Sequence, residues 1–124
     1  MKIVPFCSWV LALCAFASAD ARAQNLPLSG QQIFERYCAA CHGVGGEGNG
    51  FVSPLFKVAP PSLIRLAMSN GGAFPRERVR DVIVGKQNMA AHGERRMPVW
   101  GKELPPNSKE MSRLLNYLES VQRH

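Results

Sequence analysis

Cys38-Ala39-Ala40-Cys41-His42 sets two thiols and an imidazole within five consecutive residues of a 124-residue chain. On a helix, residues three apart share a face, so both sulfurs point to one side and the histidine follows directly. A cluster of this kind serves a redox disulfide, a metal site, or the covalent attachment of a flat cofactor. Each choice demands a different set of accompanying residues. The two remaining cysteines, Cys7 and Cys14, both lie near the N-terminus, so the role of that segment comes first.

Met1-Lys2 carries one positive charge. Residues 3–19 carry none, with Trp9, Val10, Leu11, Leu13 and Phe16 at the centre of the run. Ala21-Arg22-Ala23 then sets small residues at the two positions a signal peptidase reads. This is the layout of a secretory signal, and cleavage after Ala23 is expected. Residues 1–23 would leave and residues 24–124 would form one exported, periplasmic domain. The competing reading is a retained membrane anchor. Against it, the uncharged run is 17 residues, at the short end of the roughly 17–25 that span a bilayer, and Pro5 and Ser8 interrupt it. A lipoprotein anchored at Cys14 is disfavoured by Leu13, which stands where a small residue is required.

Cleavage removes Cys7 and Cys14 and leaves Cys38 and Cys41 alone. It also takes Lys2, Arg22 and Asp20, lowering the formal charge of +6 by one. The surface stays basic, and export argues against nucleic acid as its partner. An apolar content of 46 % excludes a disordered chain, and the length excludes a large multi-domain enzyme.

Local patterns along residues 24–124 are helical. Ser29-Gly30-Gln31-Gln32 reads as a capping box, opening a helix to about Ala40 with Ile33, Phe34, Tyr37 and Cys38 on one face. Five glycines in residues 43–50 mark a loop, and an irregular stretch follows to Pro60-Pro61. Ser62 is expected to cap a short helix to about Met68, ended by Gly71-Gly72. Pro75 suits the first turn of the next, in which Val79, Val82 and Ile83 share a face and Gly85 ends it. Residues 86–106 show no sustained period. Asn107 with Glu110 signals a last helix, with Met111, Leu114, Leu115, Leu118 and Val121 in an amphipathic stripe. No stretch alternates as a strand does. The expected class is all-α, four to five short helices, with a core too thin for the length unless something is bound at its centre.

A thioredoxin-like redox pair belongs at the start of a helix in a βαβ unit, and here it closes a helix with no strands in prospect. A zinc site needs further ligands at suitable spacing, and His92 and His124 are isolated. A plain disulfide gives no reason for the adjacent histidine. C-x-x-C-H is the attachment signature of a covalently held haem: two sulfurs reach the two vinyl groups, and His42 gives the iron a nitrogen. For the second iron ligand the candidates are Met68, Met89, His92, Met97, Met111 and His124. Met68 and Met111 fall within helix patterns, and His124 is terminal. Met97 stands before Pro98, on backbone that the proline pushes into an extended form, while Met89 and His92 share a glycine-bearing loop.

Taken in order, these residues resemble a class I cytochrome c of the small, single-haem bacterial type. The resemblance runs from about Gly30 to Leu118. Gly30, Phe34 and Cys38 are spaced by four, like the family's first helix. The haem motif is followed by Gly43. Ala59-Pro60-Pro61-Ser62-Leu63 is similar to the proline segment beside the proximal histidine. Met97-Pro98-Val99-Trp100-Gly101 is similar to the axial-methionine loop, in a form also met in cytochrome domains of cbb-type oxidases. Leu114 and Tyr117 match the positions that cross the first helix at Gly30 and Phe34.

The resemblance implies a cytochrome c fold around one haem c, with the N- and C-terminal helices crossing. It implies thioethers at Cys38 and Cys41, axial iron ligation by His42 and Met97, and a hydrogen bond from His42 to the Pro61 carbonyl, with Pro60 as the alternative. Trp100, Tyr37 and Arg65 are candidates to reach the propionates. The loop from Gly43 to Pro60 is longer than in the mitochondrial proteins, and arginine outnumbers lysine. The implied function is one-electron transfer between respiratory or dehydrogenase partners, with no catalytic residues and no small-molecule substrate. Two other readings stand beside it: a cytochrome subunit of a larger oxidase or dehydrogenase, and a haem sensor or enzyme with a displaceable sixth ligand. The basic surface suits an acidic patch on a redox protein. Arg95 and Arg96, next to the axial methionine, are its first candidates, and Arg76 with Arg80 read as a solvated helix face.

Overall fold

The computed structural model describes residues 26–86 and 97–123. Among these, every regular element is helical: α1 (Gly30–Tyr37), α2 (Ala39–His42), α3 (Arg76–Ile83) and α4 (Lys109–Ser120), with single 3-10 turns at Ser53–Leu55, Leu63–Arg65 and Met68–Asn70. The all-α class holds. No described helix is long and apolar enough to cross a membrane. The cleavage site after Ala23 lies outside the described residues.

The first helix opens on the expected capping box. Ser29 Oγ accepts from the Gln32 amide at 3.2 Å, and Gln32 Oε1 accepts from the Ser29 amide at 2.8 Å. Two orphan amides of the first turn are thereby satisfied, worth about 1 kcal/mol per cap. The helix does not run smoothly to Ala40. It breaks at Cys38, whose φ of −118° stretches the turn, and α2 restarts at Ala39. Hydrogen bonding survives the break, since the Cys38 amide donates to Phe34 O at 2.8 Å and the His42 amide to Cys38 O at 2.9 Å.

The last helix crosses the first. Gly30 permits the approach, because a Cβ at that position would run into the Arg113 carbonyl oxygen and lie 2.7 Å from Tyr117 Cβ. One turn on, the Phe34 and Tyr117 rings meet with centroids 5.5 Å apart. Ile33, Phe34, Met111, Leu114, Leu115 and Leu118 are all buried and form one cluster with Cys38, Ile83 and Leu104. Truncating a fully buried leucine such as Leu114 removes about 3 kcal/mol in cores of this kind. The helix begins one residue later than expected. Ser108, not Asn107, is the cap, and its Oγ accepts from the Met111 amide at 3.0 Å. Both residue types cap well, and the register of the apolar stripe decides between them. Pro75 likewise lies just outside α3 as its cap residue.

One expected helix is absent. Residues 62–68 form short 3-10 turns, and Ser62 makes no capping bond. An α-helix there would pair the Ala67 amide with the Leu63 carbonyl. Both groups are instead taken by one side chain from the far end of the chain: the Ala67 amide donates to Gln122 Oε1, and Gln122 Nε2 donates to Leu63 O, each at 2.8 Å. The Leu63 amide donates to Gly46 O at 2.7 Å. Tertiary partners have replaced the helical ones.

Candidate functional site

Cys38 ends α1, and Cys41 with His42 forms the last turn of α2. Both cysteines are free thiols, Cys38 buried and Cys41 half-buried. Burial, reinforced by the neighbouring Cys41, pushes the Cys38 thiol up to about 12, so it stays protonated at neutral pH. A reactive redox dithiol depends on a depressed thiol, and this one is shifted the other way.

His42 is the one described polar residue in the buried core, 6 % exposed. Its Nδ1 lies 3.0 Å from the Pro61 carbonyl oxygen. A carbonyl only accepts, so Nδ1 carries the proton and Nε2 keeps its lone pair. Burial lowers the imidazole pKa, and the bond to Pro61 partly opposes that shift. The ring is neutral at physiological pH with one nitrogen available, as a metal ligand requires. Of the two adjacent prolines, it is Pro61 whose carbonyl is in place.

The loop between His42 and Pro61 holds this pair together by doubling back on itself. The Gly48 amide donates to His42 O at 2.7 Å, and the Gly50 amide to Cys41 O at 3.1 Å. Gly48 has φ of +86°, and a Cβ there would strike the Pro60 carbonyl oxygen. Glycine is therefore needed twice over, for the left-handed backbone and for the close approach. Neither Gly48 nor Gln122 stands out in the sequence as a site residue. The glycine density of the loop was visible, but which glycine faces Pro60 depends on the folded path.

Met97 packs half-buried against the main apolar cluster, as do Tyr37 and Trp100. The last two rings meet at a tilt of 60° with centroids 5.2 Å apart, so they make one packed pair. Met111 is fully buried within α4 and belongs to the helix crossing, whereas Met68 is exposed on its 3-10 turn. Arg65 is exposed. Met89, His92, Arg95, Arg96 and His124 lie outside the described residues. The reading of Arg76 and Arg80 as a freely solvated face is corrected. Arg76 donates to Glu119 at 3.0 Å and to Asn116 at 2.7 Å, tying α3 to α4, and Arg80 pairs with Glu77.

The donor set tests what this site can hold. Among the described residues, no three His, Cys, Asp or Glu side chains come together as a metal cluster, so an ion bound by protein ligands alone is a poor fit. Two free thiols about one turn apart and a neutral imidazole with a free nitrogen do fit a thioether-linked porphyrin iron. Large apolar side chains at Phe51, Leu55, Val58 and Met68 stand exposed on the following segment, surface that an apolar macrocycle can cover.

Comparison with protein families agrees with the chemistry. Residues 25–118 match the family described as cytochrome c oxidase, cbb3-type, subunit III, and the chain belongs to this family of c-type cytochrome domains. Membership implies a covalently bound haem c with its iron, and electron transfer through it. No curated protein matches the chain.

Proposed function

We propose, from membership in this family, that the chain is an exported one-electron carrier whose single haem is ligated by His42 and Met97. The observation that carries the reading is the buried His42, held by Pro61 on one nitrogen and free on the other, beside two unpaired thiols. Held through Cys38 and Cys41, a haem would supply a one-electron iron couple, whose potential a histidine and methionine ligand set would raise. The protein's own part is to keep the site rigid and dry. The Pro61 carbonyl orients the imidazole and increases its donor strength. The half-buried Met97 supplies a neutral sulfur ligand that favours the reduced state. Held by both His42 and Met97, a haem iron would have no position left for small molecules.

Residues 1–23 direct export to the periplasm and are then removed. The partner is a redox protein with an acidic patch, met by the basic surface and by Arg95 and Arg96. Steering of that kind weakens as salt rises. A second reading is favoured by the family description itself, which names a subunit of an oxidase: the chain would then work as the cytochrome subunit of a larger complex. The native size of the haem protein separates the two, since a free carrier migrates as one small domain.

The site assignment is tested by Met97→Ala. Wild-type protein is expected to show the sulfur–iron charge-transfer band in its oxidised form and to titrate as a one-electron couple. The variant is expected to keep its thioether haem and lose the band. A band that survives excludes Met97 as the ligand.

A further inference from the structure

We infer that Gln122 is a positioning residue for His42, fixing the segment that carries the Pro61 carbonyl. The inference rests on the haem reading above only for its effect on the iron; the contacts are properties of the fold. Gln122 lies just beyond α4, half-buried, and every polar atom of its amide is engaged. Oε1 accepts from the Ala67 amide at 2.8 Å, while Nε2 donates to Leu63 O at 2.8 Å and to Leu118 O at 2.7 Å. One side-chain amide thus stands between the two backbone groups that a helical turn at 63–67 would have paired with each other. That turn begins two residues after Pro61.

The next residue doubles the tie. The Arg123 amide donates to Ile64 O at 2.8 Å, and its guanidinium reaches Glu47 at 3.1 Å. Glu47 sits beside Gly48, whose amide is bonded to His42 O, and beside Gly46, whose carbonyl accepts from Leu63. Segment 61–67 is therefore gripped from both sides. The loop leaving His42 holds one side, and the end of α4 holds the other. Since α4 is itself seated on α1 at Gly30, the helix crossing and the orientation of the imidazole form one closed circuit. Gln122 is the side-chain link in that circuit, holding the Leu63 carbonyl and the Ala67 amide from the end of α4.

Losing the link should let the Pro61 carbonyl drift from Nδ1. A weaker bond there makes the imidazole a poorer donor and destabilises the oxidised iron. The test uses Gln122→Met, which keeps length and bulk and removes all three hydrogen bonds, and Gln122→Glu, which keeps only the acceptor for Ala67. Arg76→Ala serves as a control, because it loosens α4 from α3 without touching segment 61–67. The Nδ1 proton of His42 is followed by NMR exchange, haem content by the pyridine assay for thioether haem, and the iron potential by titration. Gln122→Met should exchange that proton about tenfold faster and raise the potential, with Gln122→Glu shifted the same way and Arg76→Ala unchanged in both. Wild-type exchange and potential in Gln122→Met, or an equal shift in Arg76→Ala, overturns the role. Absence of thioether haem from the wild-type protein overturns the function reading instead, and proton exchange then decides on Gln122 by itself.

Discussion

Segment 60–67 and segment 97–104 present the two expected iron ligands' surroundings, and they are held in different ways. The first is pinned by hydrogen bonds from three directions: His42 to Pro61, Leu63 to Gly46, and the Gln122 and Arg123 pair from the chain's end. Among the described residues, the second rests on the Trp100 amide donating to Ile83 O at 2.9 Å, the Leu104 amide donating to Trp100 O at 2.7 Å, and apolar packing. Leu104 is buried and the Trp100 ring packs at a tilt against Tyr37. Directional bonds fix an orientation, whereas packing fixes a volume. A histidine whose ring plane and tautomer matter needs the first kind of support, and a flexible thioether that must only reach a position is served by the second.

The sharpest way to break this contrast is a pair of glycines. Gly48→Ala forces a Cβ against the Pro60 carbonyl at a φ of +86°, and backbone cannot yield there as a side chain can. A loss of about 3 kcal/mol is expected, together with poorer haem attachment. Gly101→Ala meets Val84 atoms at 3.3 Å, a tight fit that a small shift relieves, and should cost about 1 kcal/mol or less. Urea unfolding of both variants gives the comparison. Equal costs would show that the two segments are constrained alike.

Next in size is Trp100→Ala. The ring is half-buried, so its removal should cost about 2 kcal/mol, below the range for a fully buried tryptophan. The His42 to Pro61 bond should survive it. Loss of the His42 Nδ1 proton signal in this variant would join the two regions that the contrast separates.

The smallest effect belongs to neither region and serves as a baseline. The Glu110 carboxyl, in the first turn of α4, is held below its usual range chiefly by its own backbone amide, with help from the Arg113 side chain and Lys109. Its folded pKa is depressed, so its contribution is present above the unfolded carboxylate value and fades as pH falls through the folded one. Glu110→Gln should flatten the acid limb of stability slightly, below about pH 4. A variant with the wild-type acid limb would show that the contact adds nothing to folding.

Much of this arrangement could be read from local signals. The haem motif, the Ser29 capping box and the α4 stripe each follow from residues at most a few turns apart. So does the crossing at Gly30, once the family resemblance supplies the partner helix. The break at Cys38 and the missing helix at 62–68 could not be read that way. The second depends on Gln122, 55 residues from Ala67, and a lone glutamine near a chain end carries no local mark of its target. Gly48 differs from its neighbouring glycines only in facing Pro60. Long-range polar ties of this sort are invisible to periodicity, and here they gather around the proximal histidine.

The most direct measurement is the optical spectrum of the purified, reduced protein before and after carbon monoxide, with a pyridine assay on the same sample. Thioether haem in a low-spin form that is inert to carbon monoxide is the predicted result, since under the proposed ligation His42 and Met97 would both hold the iron. Ready binding of carbon monoxide, or haem that is not covalently attached, contradicts a carrier built on Cys38, Cys41, His42 and Met97.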